Sequence, residues 1–591
     1  MKLLPTVLLL AGAAVYDTCA RGLQHVGKLQ SNYVDPHQRA AERASRLLAT
    51  KQSSSAIVGN TLHLNNKTQP FAVNGTGVPD VNFDIGESYA GLLPISSNPD
   101  EERKLYFWYF PSKNPNATNE ITIWLNGGPG CSSLEGLMQE NGPWLWQHGT
   151  YKPVPNPWTF QNLTNMVWIE QPVGTGFSQG TPNITTEAQL AEQFKGFWRN
   201  FVDTFDLQNR SVYITGESYA GQYVPNIASS MLDEKNKEYF NVTGIMIYDP
   251  SINTDAVLEQ VPAAAFVDYW GGLFPFNDTI KARIKEMDRK CGYTAYLEEH
   301  LTYPPKGKFP DPHPTTDECD IFDFIFNAIF DVNPCFDIYQ VATTCPLLWD
   351  VLAFPGSFDY LPAGASIYFN RTDVKKAINA PLSTSWTDCS VGSVFNTQSG
   401  LDQGAQDGHL SSTTVLPGVI DRVERTIIGH GLLDMILLMN GTLLSIQNMT
   451  WGGQQGFQSP ITDDFYVPFH DDEQYATLAA SGVMGKTHTE RKLTFVSVNL
   501  SGHMVPQYQP SAAFRHMEFL LGRIPSLTSR EPFTFFNNGL VAQNNPIDDR
   551  RRRREVAEVA AEERARELLA RQLQYRGLAQ PEISEIIADF D

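Results

Sequence analysis

Short apolar runs of four to six residues recur along this chain, and one pair of them brackets a longer helical pattern. Met166–Glu170 and Val212–Thr215 read as strands, and Glu187–Phe205 between them reads as a helix. A strand, a crossover helix and a second strand call for a mostly parallel sheet with helices on its faces. Leu105–Phe110, Ile121–Leu125, Gly244–Tyr248, Arg425–Ile428 and Leu493–Val498 are further strand candidates. The expected class is therefore α/β. With 42% apolar residues in 591, the chain has the material for a sizeable core.

That pattern breaks between about 249 and 358. Cys291, Cys319, Cys335 and Cys345 lie there among Pro-rich loops, which reads as an insertion (cap) domain stapled by its own disulfides. Three pairings are possible, and the spacing does not choose between them. The expected division is a signal peptide at 1–20, a pro-segment or N-terminal extension at 21–79, and core at 80–248. The insertion follows at 249–358, then more core at 359–530 and a charged tail at 531–591. A short helix is expected near Pro36–Lys51.

Lys2, the apolar run Leu3–Val15 and the small residue at Ala20 fit a secretory signal, too short to span a bilayer comfortably. Losing Cys19 with it leaves six cysteines, the even set expected where disulfides form. Asn-x-Ser/Thr triplets headed by Asn66, Asn74, Asn116, Asn162, Asn183, Asn209, Asn241, Asn277, Asn370, Asn440, Asn448 and Asn499 are candidate glycosylation sites. No later stretch is long and apolar enough to serve as a membrane anchor. The expectation is a secreted, extracellular protein, with an acidic vacuole as the other destination. A formal charge of −21, from 65 acids against 44 bases, argues against a general affinity for nucleic acid. The run Arg550 to Arg554 and the charged stretch after it read as a solvated tail, with a proteolytic processing site or an interaction helix as the other readings. The oligomeric state is not legible.

Acyl transfer by serine needs an exposed hydroxyl on a strand-to-helix turn, an imidazole, an orienting carboxylate and N–H donors for the oxyanion. Gly-Glu-Ser-Tyr-Ala-Gly occurs twice, at 86–91 and 216–221. Ser218 follows a strong strand and precedes a helix-compatible stretch. Ser88 is followed by Leu92-Leu93-Pro94, which discourages a helix, and belongs to an early strand. Ala220 stands where the usual pattern ends in glycine. His503, in Gly-His-Met-Val-Pro after the last strand, is the candidate base. Asp434 lies between Ser218 and His503 in chain order, as the fold requires. Gly127, Gly128 and Gly130 follow a strand, where they form either an oxyanion loop or a plain tight turn.

Taken together, 124–134, Glu140-Asn141-Gly142-Pro143, Gln171–Ser178, 216–221 and 502–506 resemble the serine carboxypeptidase family, over roughly 80–524. The details look most like the secreted enzymes of filamentous fungi, related to the yeast vacuolar carboxypeptidase. The resemblance implies an α/β-hydrolase fold, no cofactor and no metal, and peptide and protein C-termini as partners. It makes Ser218 the nucleophile, His503 the general base and acid, and Asp434 its orienting partner. The backbone N–H groups of Gly128 and Tyr219 become the oxyanion hole. Asn126, the Gly127 backbone, Glu140 and Glu217, backed by Trp124, bind the substrate's terminal carboxylate. Glu135 and Met504 fall in the pocket for the departing residue, and Cys131 pairs with Cys389.

Two motifs depart from the family pattern. Gly431-Leu432-Leu433-Asp434 replaces Gly-Asp-x-Asp, and Tyr248-Asp249-Pro250 replaces Gly-Asn-Gly. Two carboxyl groups held close share a proton, so Glu140 and Glu217 should bind an anion in mild acid and lose it toward neutrality. A serine acyltransferase and a non-catalytic secreted binding protein are the other readings. A general lipase leaves Glu140 and Glu217 without a task.

Overall fold

Eleven strands join in one sheet, and six of them, at its centre, run parallel. In chain order the strands are β1 (Ala72–Val73), β2 (Ser88–Pro94), β3 (Lys104–Phe110), β4 (Glu120–Leu125), β5 (Asn165–Glu170) and β6 (Ser211–Glu217). They continue with β7 (Val242–Tyr248), β8 (Arg425–Gly431), β9 (Asp463–Val467), β10 (Gly482–Glu490) and β11 (Leu493–Val498). The spatial order is β1-β2-β3-β5-β4-β6-β7-β8-β11-β10-β9. The stretch from β5 to β11 is parallel, and the strands outside it pair antiparallel. This is a computed structural model, and it describes residues 63–353, 361, 364–406, 408, 410–470 and 480–534. The expected signal peptide, the helix near Pro36–Lys51 and the charged tail lie outside the described residues.

The central strands are apolar throughout because both faces are covered. Every residue of β4, β5 and β11 is buried. Along β3, Leu105, Phe107 and Tyr109 enter one apolar cluster while Tyr106, Trp108 and Phe110 enter the other. Helix α2 (Glu187–Phe205) covers the first face with Leu190, Phe194, Phe197, Trp198, Phe201 and Phe205, a helical stripe of apolar side chains. The Thr186 side chain caps its start, and Asp206, at φ +53°, ends it. Helix α3 (Ala220–Asp233) packs beside it. The expected Leu105–Phe110, Ile121–Leu125 and Leu493–Val498 strands lie within β3, β4 and β11. The sequence reading did not find β9 and β10, whose polar residues fit the sheet edge.

Four helices rise from the segment after β7: α4 (Val261–Tyr269), α5 (Asp278–Cys291), α6 (Tyr293–His300) and α7 (Ile321–Ile329). Their apolar cluster includes Val261, Phe274, Ile284, Ile325 and Phe336 together with Leu433 and Met435, which flank Asp434. The cysteines pair as Cys291–Cys319, Cys335–Cys345 and Cys131–Cys389. The end of the 21–79 segment is built into the fold: Ala72–Val73 pairs with β2, and Val73 and Val78 are buried. Among the described residues no helix is long and apolar enough to cross a membrane.

Of the glycosylation candidates, Asn66, Asn74, Asn116, Asn183, Asn209 and Asn277 are exposed, and Asn241, Asn370, Asn440, Asn448 and Asn499 are half-buried. Asn162 differs from the others: it is buried, and its amide donates to the Pro157 carbonyl at 3.0 Å.

Candidate active site

Five of the parallel strands deliver the candidate residues from their C-terminal ends, where open α/β sheets bind ligands. The loop after β4 carries Asn126 to Gly130, Ser218 follows β6, Asp249 follows β7, Asp434 follows β8 and His503 follows β11.

Ser218 has φ +62°, a left-handed conformation that costs a non-glycine residue energy. Its backbone is pinned on both sides. The N–H donates to Tyr248 O at 2.9 Å, and the carbonyl accepts from Gly221 and Ser251 N–H, each at 2.9 Å. A Cβ on Gly216 would lie 2.2 Å from Leu125 O and 2.8 Å from the Ala220 Cβ. The first position of the motif must therefore be glycine, while alanine fits at 220.

The loop after β4 lies directly on this elbow. A Cβ on Gly127 would fall 2.4 Å from Tyr219 N and 2.7 Å from Ser218 Cβ. Gly128 takes φ +110°, and its N–H and that of Tyr219 have no protein acceptor among the described residues. The loop is tied down by the Cys131–Cys389 disulfide and by Ser132 N–H to Asp388 O at 2.7 Å.

His503 Nδ1 lies 2.8 Å from Asp434 Oδ2, and both side chains are buried. Asp434 Oδ1 accepts from the Ile436 N–H at 2.9 Å. This leaves Nδ1 as the donor and Nε2 without a partner among the described residues. Burial alone would lower the His503 pKa, but the Asp434 carboxylate beside it outweighs burial and raises it. The cap reaches this histidine through Tyr339, whose carbonyl accepts the His503 N–H at 2.8 Å and whose ring lies 5.3 Å from the imidazole. Asp434 keeps its place despite the altered residues before it. Asp249, in the second altered motif, and His430 beside it are site residues that the sequence reading did not single out.

A second cluster lies beneath the loop. Trp124 Nε1 donates to Asn126 Oδ1 at 2.8 Å, which turns the Asn126 amide nitrogen toward three acids. That nitrogen meets Glu135 at 2.6 Å, Glu217 at 3.0 Å and, more weakly, Glu140 at 3.4 Å. One oxygen of each acid lies within 4.8 Å of the others, and all three side chains are buried. Burial first, and then the neighbouring carboxyls, raise all three pKa values well above the usual range. Glu135, expected in the pocket for the departing residue, is drawn into this trio by its bond to Asn126. Gly136 makes the room, since a Cβ there would lie 2.3 Å from Trp124 Nε1 and 2.9 Å from Glu140 Oε1. Nothing in the sequence marked that glycine. Met504 is buried immediately after His503.

The trio and the group Asp249, Asp434 and His503 each have a spacing that could surround a cation. Hydrogen bonds from Asn126 and from Gly431 and His503 already engage oxygens of both groups.

Residues 79–522 match the sequence pattern of the serine carboxypeptidases. The chain belongs to the serine carboxypeptidase family. It is 57% identical over 532 residues to a probable serine carboxypeptidase of Arthroderma benhamiae, covering 88% of this chain and 97% of the relative. It is 46% identical over 494 residues to the serine-type carboxypeptidase F of Aspergillus niger, covering 81% and 92%. Among solved structures, the Kex1Δp prohormone-processing carboxypeptidase of Saccharomyces cerevisiae superposes with a TM-score of 0.59 at 20% identity. It covers 78% of this chain and 98% of its own, a likeness of fold. The protein is thus a serine-type carboxypeptidase, an exopeptidase of the α/β-hydrolase fold.

Proposed function

We propose that Ser218 is the nucleophile of this carboxypeptidase and that the enzyme works best in mild acid. His503 Nε2 takes the Ser218 Oγ proton as Oγ bonds to the last peptide carbonyl carbon. The oxyanion is held by the Gly128 and Tyr219 N–H groups. Collapse breaks the C–N bond, and His503 passes the proton to the departing amine. Water then attacks the acyl-enzyme with His503 as base again, the ester bond to Oγ breaks and His503 returns the proton to Ser218, while Asp434 holds the imidazole in the required tautomer throughout.

The observation that carries exopeptidase action is the buried acid trio, which begins one residue before Ser218, at Glu217. Asn126, the Gly127 N–H, Glu140 and Glu217 receive the substrate's terminal carboxylate one residue beyond the scissile bond, with Trp124 holding Asn126 in place. Carboxyls this close stay partly protonated and so become hydrogen-bond donors to an anion. As pH rises the trio loses those protons, repels the substrate carboxylate, and affinity falls. Glu135 adds a third acid, and Met504, buried immediately after His503, borders the departing side chain, which favours apolar residues. The signal-like N-terminus, the exposed sequons and the three disulfides support a precursor that is secreted or delivered to an acidic vacuole.

An N-blocked dipeptide and its C-terminal amide, compared at about pH 4.5 and 7.5, test this reading. The free acid should be cleaved faster, more so in acid, and Ser218→Ala should abolish turnover. Combining Glu140→Gln with Glu217→Gln should flatten the pH dependence. An unchanged profile in that double variant would remove the acid-trio account.

A further inference from the structure

Asp249 ends β7 beside the catalytic group, and the mechanism above gives it no task. Its side chain is fully buried. Oδ1 accepts the Gly431 N–H at 2.9 Å and lies 2.9 Å from His430 Nδ1, on an imidazole that is also fully buried. Oδ2 has no N–H or hydroxyl donor among the described residues. Yet one oxygen of Asp249, one of Asp434 and one nitrogen of His503 lie within 4.8 Å of one another. The titratable groups facing Asp249 are Asp434 from the loop after β8, His430 from β8, His503 from the loop after β11 and Glu217 at the end of β6. Two buried carboxyls at this separation do not both ionise cheaply. Asp434 already spends both oxygens as acceptors, toward Ile436 N–H and His503 Nδ1–H. The one place left for a shared proton is Asp249.

We propose that Asp249 is a positioning residue that keeps a proton and donates it as a hydrogen bond to Asp434, with the Gly431 N–H holding the carboxyl from behind. The hydrogen bonds then run from the Gly431 N–H to Asp249, from Asp249 to Asp434, and from His503 Nδ1–H to Asp434. The arrangement fixes the rotamer of Asp434 without adding a second negative charge. That matters for an enzyme of mild acid. A second ionised carboxylate would raise the basicity of His503 further and shut the base off at the pH where the acid trio works best.

The proposal rests on Asp434 and His503 acting with Ser218, so the first arm is Asp434→Asn on the full-length enzyme. If kcat ignored that change, the catalytic reading itself would fail. With that arm positive, Asp249 is tested alone on an N-blocked dipeptide. Asp249→Ala should lower kcat by about ten- to a hundred-fold with KM within about two-fold, as for other residues that orient a reacting group through a partner. Asp249→Asn, whose amide N–H can replace the carboxyl O–H, should restore kcat to within about three-fold, with the acid limb of the kcat profile unmoved. An acid limb displaced downward by about one pH unit would show that a negative charge had been removed, and would overturn the proposal. So would a loss in Asp249→Asn as deep as in Asp249→Ala. Labelling by an active-site fluorophosphonate, with a melting curve, establishes that each variant is folded. Should Asp249→Ala not fold, the acid limb of Asp249→Asn alone decides.

Discussion

The six residues Gly-Glu-Ser-Tyr-Ala-Gly take two unrelated structures in this one chain. At 86–91 they enter strand β2, where Ser88 is buried and its Oγ accepts from Trp108 Nε1 at 3.2 Å. At 216–221 they end β6 and start α3, with Ser218 at φ +62°. The second residues differ as much as the third. Glu87 is bonded to the Tyr89 hydroxyl at 2.7 Å and to His63 N–H at 2.9 Å, while Glu217 is shut in with two other acids. Each final glycine is required for a different reason, by the Phe71 ring at Gly91 and by the Ser251 backbone at Gly221. Local sequence offers the elbow, but neighbours decide it: Tyr248 O, Ser251 N–H and the Gly127 backbone exist only around the second copy.

Replacing the same serine in each copy breaks the comparison most sharply. Ser218→Ala should lower kcat by about 10⁴-fold or more, since a nucleophile and its base act as a unit. Next in size is an effect of pH on stability, which follows from burying acids as Glu217 is buried. Burial, the largest cause for each, raises Glu170 to about 7, Asp337 to about 6 and Glu259 to about 8. A carboxyl whose pKa is raised by folding binds its proton more tightly in the native state. The stabilisation is then complete below its unfolded pKa and is lost as pH rises through the folded value. Between about pH 5 and 8 the chemical-denaturation midpoint should fall, and Glu170 alone accounts for about 3 kcal/mol of that loss. A midpoint that rises across this window would contradict the burial of these acids.

How much of this was legible follows the same division between local pattern and neighbours. Glu187–Phe205 was readable to its end residues, because an apolar stripe and a Thr186 cap are written locally. That Ser218, Asp434 and His503 each follow a strand was readable, because each comes after an apolar run. Strands β9 and β10 were not, since an edge needs only one apolar face. Asp249 before Pro250 looks like an ordinary turn residue, and only the approach of Gly431 and Asp434 makes it part of the site. Glu135 and Glu140, five positions apart, are not neighbours on a helix. They meet because helix α1 (Ser133–Gln139) ends before Glu140, whose φ of −123° turns its carboxyl back.

A smaller effect separates the two glutamates. Glu217→Gln should lower kcat/KM on free-acid dipeptides in acid by about ten-fold and weaken its dependence on pH, because an amide still donates to a carboxylate but does not titrate. Glu87→Gln should leave the pH profile of kcat/KM as it is, at the cost of the Tyr89 and His63 contacts. A parallel change in both profiles would mean that the dependence comes from overall charge and not from the trio.

The smallest effect on catalysis belongs to Ser88→Ala, and it sharpens the comparison by separating stability from activity. Removing the Ser88 hydroxyl leaves the indole N–H of Trp108, itself 1% exposed, without its acceptor. An orphaned buried donor costs about 1–3 kcal/mol, so the denaturation midpoint should fall by that amount. The β2 backbone pairs with β3 on one side and β1 on the other, and those ladders do not involve the side chain. Turnover per folded molecule, normalised by the fluorophosphonate label, should therefore stay at the wild-type value. A loss of turnover without a loss of stability would place Ser88 in the chemistry and undo the assignment of the two copies.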